Sequence, residues 1–427
     1  MRVLFLSQLI PYPLDAGPKV RSYHVARHLV ASGHRVTLVA FSRPGDLGVS
    51  IASLEPICTD VYTVPMPRSR LTDVWYLVGS FFNGQPFLIA RDWVPGMAAL
   101  LQQLAQRRAF DAVHADQLWM APYALYEASL LRGLGCAPVT VLDQHNAVFQ
   151  IPRRLAESEA NPLKRLLLAL EARKMLRFEV STCRQFDHVV WVTEQDRAAA
   201  AVNETTRGDG RQTGPTEVVR RRPLGSSRGE PRSMVIPICV DPSSRPTIRR
   251  ADHPRRVTFL GGLHWPPNAE GIQWFARAVW PSVVERAPAA VLTVIGKNPP
   301  LSLRSAAGPP GALDVRGYVA DPTPYLAETA AFIVPLRAGG GMRVKILDAW
   351  CWGLPVVSTT IGAEGLRYRD GESLLIADSA LLFGNAVVRL LTQPELGARI
   401  AAQGRQTVEA CYDWRQVYQA WDGVYAA

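Results

Sequence analysis

The sequence predicts an α/β protein with two doubly wound, parallel-sheet domains. Three observations support this: short apolar runs alternate with helical patterns, the alternation occurs twice, and a polar, Gly- and Arg-rich stretch separates the two series. The chain has 427 residues, and at about 150 residues per domain that length favours two or three domains. Ligands of such sheets bind at the carboxyl ends of the strands, so a cleft between the two domains is expected to hold the site.

The first forty residues form the clearest unit. An apolar run at Val3–Ser7 is predicted as a buried strand, and a loop rich in Pro and Gly follows at 11–18. Val20–Ser32 carries apolar residues at helical spacing and stops before Gly33, where a C-cap glycine belongs. Val36–Phe41 is a second apolar run. Strand, loop, helix and strand in this order indicate a βαβ unit and therefore a parallel sheet.

The same alternation continues through both halves of the chain. Strands are predicted at Ala112–His114, Pro138–Asp143, His188–Val192, Val257–Leu260, Ala290–Ile295, Val315–Gly317, Ala331–Val334 and Val356–Thr359. Helices are predicted at Met97–Arg107, Arg165–Cys183, Asn268–Val279 and Val344–Trp352. The domain boundaries that follow are 1–240, with a flexible insertion at 203–232, then 241–409, and a terminal helix at 410–427, which the family resemblance described below implies crosses back to the first domain.

Composition excludes several classes of protein. Hydrophobic residues make up 48% of the chain and charged residues 20%, which argues against a disordered or coiled-coil protein. The six cysteines are scattered without a CxxC pair, so neither a zinc ribbon nor a disulfide scaffold is indicated, and a reducing cytosol is expected. The net charge of +10 allows an anionic partner such as a nucleotide or a lipid surface. No stretch is apolar enough for a transmembrane span.

The strongest local signal is AGGGMRVKILDAWCWG at Ala338–Gly353. Glycines let backbone amides approach a ligand closely, and a helix N-terminus favours negative charge. Arg343 and Lys345 at this helix start are unfavourable toward the helix dipole, which a bound diphosphate would compensate. Asp348, one turn further on, can accept hydrogen bonds from ribose hydroxyls. The alternative interpretation is a glycine-rich turn with solvated charges.

These motifs resemble the retaining GT-B glycosyltransferases of family 4, the glycosyltransferase group 1 family, and in particular sugar transferases of exopolysaccharide clusters. The resemblance rests on motifs spread in order along nearly the whole chain. They are the Gly17 loop with its helix and Gly33-His34, then Val192-Thr193-Glu194, Ile236-Pro237 with Val240-Asp241, the Ala338–Gly353 segment and Gly353-Leu354-Pro355-Val356-Val357.

The resemblance implies a GT-B fold and a reaction. It implies transfer of a sugar from a nucleotide diphospho-sugar to a hydroxyl acceptor (a polysaccharide, glycolipid or glycoside) with retention of configuration, by a front-face route in which the leaving phosphate assists deprotonation of the acceptor. The first domain would then bind the acceptor and the second the donor. A nucleotide-sugar epimerase and a catalytically silent binding protein stay open as alternatives; product formed without acceptor would indicate the first, and donor hydrolysis would exclude the second.

The resemblance also implies site residues. Donor-binding residues are expected at Gly17, Gly262, Gly339, Gly340, Gly341, Met342, Arg343, Lys345 and Asp348. The family often has Glu-x7-Glu around the glycine turn; Asp348 matches the second acid, whereas Gly340 occupies the position of the first. The Arg and Lys that commonly open the second domain are absent after Gly262, so Arg343 and Lys345 are expected to replace them, with Lys297 in reserve.

Further polar residues are expected to meet donor or acceptor. Family members often present a histidine to the donor sugar at the position of His114, which joins Arg343 and Lys345 as a catalytic candidate; a satisfied structural histidine is the alternative. The other candidates are Lys19, Arg21, Asp143, His145, Asn146, His264 and Lys297. No Asp-x-Asp triplet or metal-ligand spacing occurs, so neither a metal nor a cofactor is expected.

The basic helix near Asn161–Cys183 predicts either a membrane-surface helix or a core-facing helix with a solvated basic side. The arginines of the 203–232 insertion lack interleaved aromatic residues, so nucleic acid is not an expected partner. We expect a cytoplasmic protein with a nucleotide-sugar donor, a glycan or lipid-linked acceptor, and a peripheral contact with the inner face of the membrane as a partner surface that the basic residues allow.

Overall fold

The computed structural model describes residues 1–43, 49–67, 69, 73, 75–76, 79–80, 82, 84–205, 231–304 and 312–426. Most of the predicted insertion at 203–232 lies outside these residues. Within the described part, the chain divides into two compact units. The first unit comprises Met1–Pro237 and Tyr418–Ala427, and the second comprises Ile238–Val417.

Thirteen strands are assigned in the described part of the chain. In the first unit they are β1 (Arg2–Ser7), β2 (Arg35–Ser42), β3 (Asp60–Pro65), β4 (Ala112–Asp116), β5 (Val139–Gln144), β6 (His188–Trp191) and β7 (Arg232–Val235). In the second unit they are β8 (Arg256–Leu260), β9 (Val291–Ile295), β10 (Leu313–Val315), β11 (Thr329–Val334), β12 (Val356–Ser358) and β13 (Leu375–Ile376).

The α-helices connect these strands. In the first unit they are α1 (Gly17–Ala31), α2 (Val49–Ala52), α3 (Phe87–Arg91), α4 (Pro95–Arg107), α5 (Ala121–Gly133), α6 (Gln150–Ser158), α7 (Pro162–Cys183) and α8 (Glu194–Thr205). In the second unit they are α9 (Pro266–Trp274), α10 (Trp280–Arg286), α11 (Leu301–Arg304), α12 (Thr323–Ala327), α13 (Val344–Cys351), α14 (Ala380–Thr392), α15 (Pro394–Tyr412) and α16 (Trp414–Val417). A last helix, α17 (Asp422–Tyr425), belongs to the first unit.

Each unit contains one parallel sheet, and the two sheets have equivalent strand orders. The first runs β3-β2-β1-β4-β5-β6-β7 and the second β10-β9-β8-β11-β12-β13. In both sheets the chain first adds strands on one side of the unit's first strand and then crosses over to add strands on its other side, which is the Rossmann arrangement. The switch points therefore lie between β1 and β4 and between β8 and β11. This confirms the predicted α/β class with two Rossmann-like, doubly wound sheets.

The inner strands of both sheets, such as β1, β4 and β11, are almost wholly buried, which explains why their sequences are continuous apolar runs. Leu4 and Leu6 of β1 and Val113 of β4 belong to one apolar core, whereas Val257 of β8 and Ile333 of β11 belong to another. Each unit thus carries a core of its own, and neither needs a covalent crosslink. All six cysteines are free thiols.

Several boundaries differ from the sequence-based expectation. Strand β4 continues to Asp116, two residues beyond the predicted end at His114. The predicted terminal helix at 410–427 is not continuous: α15 ends at Tyr412, and extended backbone at Asp413 (φ −71°, ψ 117°) separates it from α16. Edge strand β3 was not predicted, because its residues are only partly buried and carry no apolar run.

Among the described residues, no helix is both long enough and apolar enough to cross a bilayer.

Candidate functional site

The switch point of the first sheet gathers polar side chains at the carboxyl ends of three strands. The register of the parallel ladder places Ser7 of β1 beside Asp116 of β4, and Asp116 beside Asp143 of β5. Neighbouring strands lie about 4.8 Å apart, so these side chains are within reach of one another. All three residues are at most 1% exposed. This row is the foundation of a buried polar network.

Arg21 and Asp143 form a fully buried ion pair. The Arg21 guanidinium lies on α1, and its Nε and Nη2 donate to the Asp143 carboxylate over 2.6 to 2.9 Å. Its Nη1 donates to the carbonyl oxygens of Ile236 (2.8 Å) and Pro237 (3.0 Å). Burial alone would raise the pKa of Asp143, but the charges of Arg21 and His145 hold it well below its ordinary value. Arg21 is therefore bound to Asp143 and to backbone carbonyls in the core, and its contact with donor or acceptor stays a prediction.

His145 and Asp116 form a second buried pair beside the first. His145 Nε2 lies 2.9 Å from Asp116 Oδ1 and 3.6 Å from Asp143 Oδ2. The other Asp116 oxygen accepts hydrogen bonds of 2.8 Å from Ser7 and Ser22. Burial opposes the charged imidazolium, but the two carboxylates outweigh it and raise the pKa of His145 to about 9. The stability that this pair contributes is complete below the ordinary histidine pKa of about 6.5 and is lost as the pH rises through about 9.

His114 lies in the core rather than at a ligand-facing surface. It is fully buried in the middle of β4, stacks on Phe5 with ring centroids 4.2 Å apart, and its Nδ1 is hydrogen-bonded to the Tyr425 hydroxyl at 2.6 Å. Burial lowers its pKa to about 4, so the ring is neutral at pH 7. Strand β4 extends past His114, and aromatic residues enclose it, so its contact with the donor sugar stays a prediction.

Three ligand-type side chains meet here although their sequence positions show no metal-binding spacing. Ligand atoms of His114, Asp116 and Asp143 lie within 4.8 Å of one another. However, the Arg21 guanidinium already bonds both Asp143 oxygens, and His145 bonds Asp116. These two positive groups occupy the carboxylates to which a metal ion would bind, so the arrangement fits a structural polar network better than a metal centre.

The remaining candidates of the first unit are close to this network in sequence but differ in exposure. Gly17 is the first residue of α1, preceded by the N-cap residue Ala16. Lys19 lies on the first turn and pairs with Asp15 at 3.0 Å. Asn146 is half-buried and directly follows His145. The structure therefore brings Asp143, His145 and Asn146 together at one strand end, as their adjacency in sequence requires.

The glycine turn of the second unit follows β11 at the switch point. Gly339 (φ +124°) and Gly341 (φ +74°) have left-handed backbone, which favours glycine. A side chain on Gly339 would also come within 2.8 Å of the Arg343 guanidinium. By contrast, a Cβ on Gly340 would meet no heavy atom within 4 Å. The position where the family often has a glutamate therefore has room for a side chain but carries none.

Arg343 stabilises this turn from inside. It is the N-cap residue of α13, with extended backbone (φ −97°, ψ 90°), and is 5% exposed. Its Nη1 donates to the carbonyl oxygens of Gly340 and Gly341, the latter at 2.7 Å, and the guanidinium lies 5.7 Å from the centre of the Trp265 ring. Met342 is buried too, with its sulfur 3.3 Å from the backbone nitrogen of Ile238. Arg343 thus fixes the shape of the turn and adds positive charge beneath it.

Lys345 places a second cation beside the loop that follows β8. Its Nζ donates to Asn268 Oδ1 at 2.8 Å and lies 4.5 Å from the centre of the Phe259 ring. A Cβ on Gly261 would come within 2.6 Å of this nitrogen, so the amine lies directly against the glycine backbone. Burial, with a smaller contribution from Arg343, lowers the pKa of Lys345 to about 7. The amine lacks a carboxylate partner among the described residues and would gain from an anion.

The neighbouring loops complete this edge of the sheet. Asn268 also donates from Nδ2 to the Gly262 carbonyl oxygen at 2.9 Å, so it links Lys345 to the loop. His264 is exposed, and a Cβ on Gly262 would meet its ring at 2.6 Å. Lys297 follows β9, is exposed, and has its Nζ 4.7 Å from the centre of the Tyr318 ring. The structure therefore brings Lys345 and Gly262 together through Asn268.

Asp348 pairs with a residue that the sequence did not suggest. Its carboxylate forms an ion pair with Arg245, and both side chains are 19% exposed. The ribose contact of Asp348 stays a prediction, and comparing the affinities of Asp348→Asn for a ribonucleoside diphosphate and for its 2′-deoxy analogue would test it. Equal discrimination by the variant and the original chain would assign Asp348 to the ion pair alone.

Sequence reasoning missed several residues that organise these two regions. Asp116 is the last residue of β4 and Asp143 is the last but one of β5, and this similar placement of two aspartates was the available signal. Asn268 lies in the stretch after Gly262, where the cations common in the family are absent. Nothing in the sequence indicated that its side-chain amide accepts a hydrogen bond from Lys345. Glu179 is fully buried, and accepts from Gln144 Nε2 at 3.0 Å and from the backbone N–H groups of Val148 and Phe149 at 3.1 Å.

Comparison with protein families assigns both units. Residues 16–209 match the family described as Glycosyl transferase 4-like domain. Residues 254–393 match the family described as Glycosyl transferases group 1. The two matches together cover most of the chain, and the second includes β8 and β11, which flank the switch point of the second sheet.

Two curated bacterial proteins are similar over part of their length. The chain is 28% identical over 175 residues, 39% of its length and 45% of the relative's, to an uncharacterized 44.6 kDa protein in the cps region of Klebsiella pneumoniae. It is 28% identical over 131 residues, 29% of its length and 38% of the relative's, to the lipopolysaccharide core biosynthesis glycosyltransferase LpsE of Rhizobium meliloti strain 1021. The matches thus span less than half the length of these relatives.

Solved structures show the same architecture. HepE of Anabaena in complex with UDP-glucose is similar with a TM-score of 0.66 at 14% identity, over 100% of this chain and 99% of that chain. At this identity the likeness shows the fold, which is the two-domain GT-B fold.

The buried ion pair makes a stability prediction. We expect Arg21→Leu to lower the free energy of unfolding by about 3–5 kcal/mol, because it leaves the Asp143 carboxylate buried without its partner. The double variant Arg21→Leu/Asp143→Leu should cost much less than the sum of the two single changes. Urea unfolding of the full chain measures both quantities.

A matched control is Lys19→Met, which removes a cation of the same helix that pairs with the exposed Asp15. It should change stability by less than about 1 kcal/mol. Two results would contradict a buried ion pair between Arg21 and Asp143. One is a stability loss in the double variant equal to the sum of the two single losses, and the other is an equal stability loss in the Arg21 and Lys19 variants.

Proposed function

We propose that the chain is a glycosyltransferase that moves a sugar from a nucleotide diphospho-sugar to a hydroxyl acceptor, with retention of configuration. The matches of both units to glycosyltransferase families and the GT-B fold support this proposal. The second unit binds the donor and the first unit the acceptor. The relation to LpsE, a lipopolysaccharide core glycosyltransferase, and to a protein of a cps region supports a glycan or glycolipid acceptor. UDP-glucose bound to HepE, which has the same fold, supports a nucleotide-sugar donor.

The observation that carries this proposal is the Lys345 amine at the switch point of the second sheet. It lies against Gly261, is held by the neutral side chain of Asn268, and has a pKa lowered to about 7 by burial and by Arg343. A buried ammonium without a carboxylate partner is costly, and an anion bound beside it repays that cost. A diphosphate supplies this negative charge in the place where the Rossmann arrangement binds phosphates.

Catalysis in this proposal rests on charge stabilisation and positioning. Negative charge develops on the leaving diphosphate, and Lys345 and the glycine turn held by Arg343 are in place before the reaction begins. Orientation of the acceptor hydroxyl on the same face as the leaving group then allows the phosphate to accept its proton. The missing carboxylate at Gly340 means that the donor sugar is held by other groups, of which backbone amides of the turn are the nearest candidates.

The same charges support catalysis without a divalent ion. Lys345 and Arg343 supply two positive groups two residues apart at the start of α13, which is the neutralisation that Mg²⁺ or Mn²⁺ provides in other phosphate-transfer sites. Cytoplasmic location and a peripheral membrane contact through α7 are further parts of the proposal. The first turns of α7 expose Leu163 (65%) and Leu166 (56%) beside Lys164 and Arg165.

The lowered pKa of Lys345 predicts a pH-dependent affinity for the donor nucleotide. A bound diphosphate stabilises the ammonium and raises its pKa above the value of about 7 in the free protein. The affinity for UDP should therefore fall as the pH rises above 7, by at most about tenfold per pH unit for one proton. Calorimetric titration with UDP between pH 6.5 and 9 measures this slope.

Two variants test the assignment. Lys345→Met should weaken UDP binding at least tenfold at pH 7, about 1.4 kcal/mol, and should abolish the slope. Arg337→Met removes an exposed cation of the same unit that pairs with Glu270 and should leave both unchanged. A wild-type affinity that does not vary with pH, or a Lys345 variant with unchanged affinity, would refute the phosphate site.

Metal independence predicts that the purified enzyme keeps most of its activity in excess EDTA. Release of UDP from a UDP-sugar, with and without an added bacterial glycolipid fraction, is a suitable readout. Complete loss of activity that manganese or magnesium restores would show that the two cations do not suffice. UDP release in EDTA would also exclude a catalytically silent protein.

A further inference from the structure

The two helices that follow β5 enclose an apolar groove. Helices α6 and α7 are joined by only three residues, 159–161, and a groove of about 380 Å³ lies between them. Its apolar lining consists of Phe149, Ala156, Ala169, Ala172 and Leu176. The alanines of both helices are too short to fill the space between the two backbones, which explains why the groove exists. Its volume is within the range of small-ligand sites, about 300–1,000 Å³.

Arginines surround this apolar surface. Arg153 of α6 and Arg165 and Arg173 of α7 are exposed and line the groove. Glu157 is the one acid in the lining, and it lies 3.3 Å from Arg153. Within the described part of the chain, neither Arg165 nor Arg173 forms a side-chain ion pair. The groove therefore combines an apolar interior with excess positive charge at its rim, which matches a molecule with an apolar chain and an anionic head.

The groove is connected to the carboxyl end of β5. Phe149 lines the groove, and its backbone N–H donates to Glu179. The same carboxylate accepts from Gln144, the last residue of β5. Asp143 and His145 flank Gln144 in the chain. A ligand whose chain lies in the groove can therefore extend its head towards the strand ends of the unit to which we assign the acceptor.

From this geometry we infer that the groove binds a lipid-linked acceptor: an apolar chain packs between α6 and α7, and a phosphate or diphosphate at its head pairs with Arg165 and Arg173. The inference rests on the proposed function, because it names the class of acceptor for that reaction. The leucines on the first turns of α7, including Leu167 at 41% exposure, lie next to the groove in sequence and give the chain an apolar path from a membrane.

The test uses tetradecyl phosphate as a probe, below the concentration at which it aggregates. Calorimetric titration of the full chain should show saturable binding, whereas inorganic pyrophosphate and uncharged tetradecyl maltoside should bind at least tenfold more weakly. Ala169→Phe fills the groove, and Arg165→Glu/Arg173→Glu reverses the charge of its rim. Each should weaken binding of the probe at least tenfold.

Arg177→Glu is the matched control, since Arg177 is exposed on the same helix but does not line the groove. It should bind the probe as the original chain does. All variants should keep the original thermal unfolding midpoint and UDP affinity, which separates the groove from folding and from the donor site. If the original chain does not bind UDP, the proposed function is refuted even when the probe binds.

Three results would overturn the inference. The first is equal probe affinity in the original chain, Ala169→Phe and the charge-reversed variant. The second is equal affinity for the phosphate and the maltoside, which would indicate non-selective apolar binding. The third is binding to anionic phosphatidylglycerol vesicles that depends on Leu163 and Leu166 but not on Ala169, which would indicate a membrane surface without a lipid groove.

Discussion

The buried ion pair between Arg21 and Asp143 is the constraint on which the first unit depends. Two opposite charges removed from water are stable only with good geometry and with every remaining polar group satisfied. Here the guanidinium meets both carboxylate oxygens and two backbone carbonyls. It therefore fixes α1 against the end of β5 and against residues 236–237, and it leaves His145 and Asp116 in a defined position at the same strand ends.

The second unit has a contrasting electrostatic design at the equivalent place. The cation of the first switch point is neutralised by Asp143, whereas Lys345 meets an amide, an aromatic ring and glycine backbone. Because this environment removes the ammonium from water without offering it a carboxylate, the pKa of Lys345 is lowered. In the proposed function, this cation without a carboxylate partner among the described residues binds the anionic donor, whereas the first unit, to which we assign the acceptor, pairs its own charges internally.

The fold could be predicted from sequence because buried parallel strands are continuous apolar runs with glycine-marked turns, as at Val36–Phe41 and Gly33. The site could be predicted only where neighbours in space are also neighbours in sequence, as in the Gly339–Lys345 segment. Arg21 and Asp143 are 122 positions apart, so the pattern showed a free arginine where the structure has a buried pair. The groove between α6 and α7 could not be predicted either, because an alanine in the sequence does not indicate whether a neighbouring side chain fills the space beside it.

Hydrogen exchange of the full chain with and without UDP tests the central claim most directly, since it locates the bound nucleotide without assuming any residue's role. We expect UDP to slow the exchange of backbone amides in two segments of the second unit, 261–268 and 339–347, while amides of α1 and β5 keep their rates. Protection confined to the first unit, or no protection in the glycine turn at saturating UDP, would contradict the assignment of the donor site.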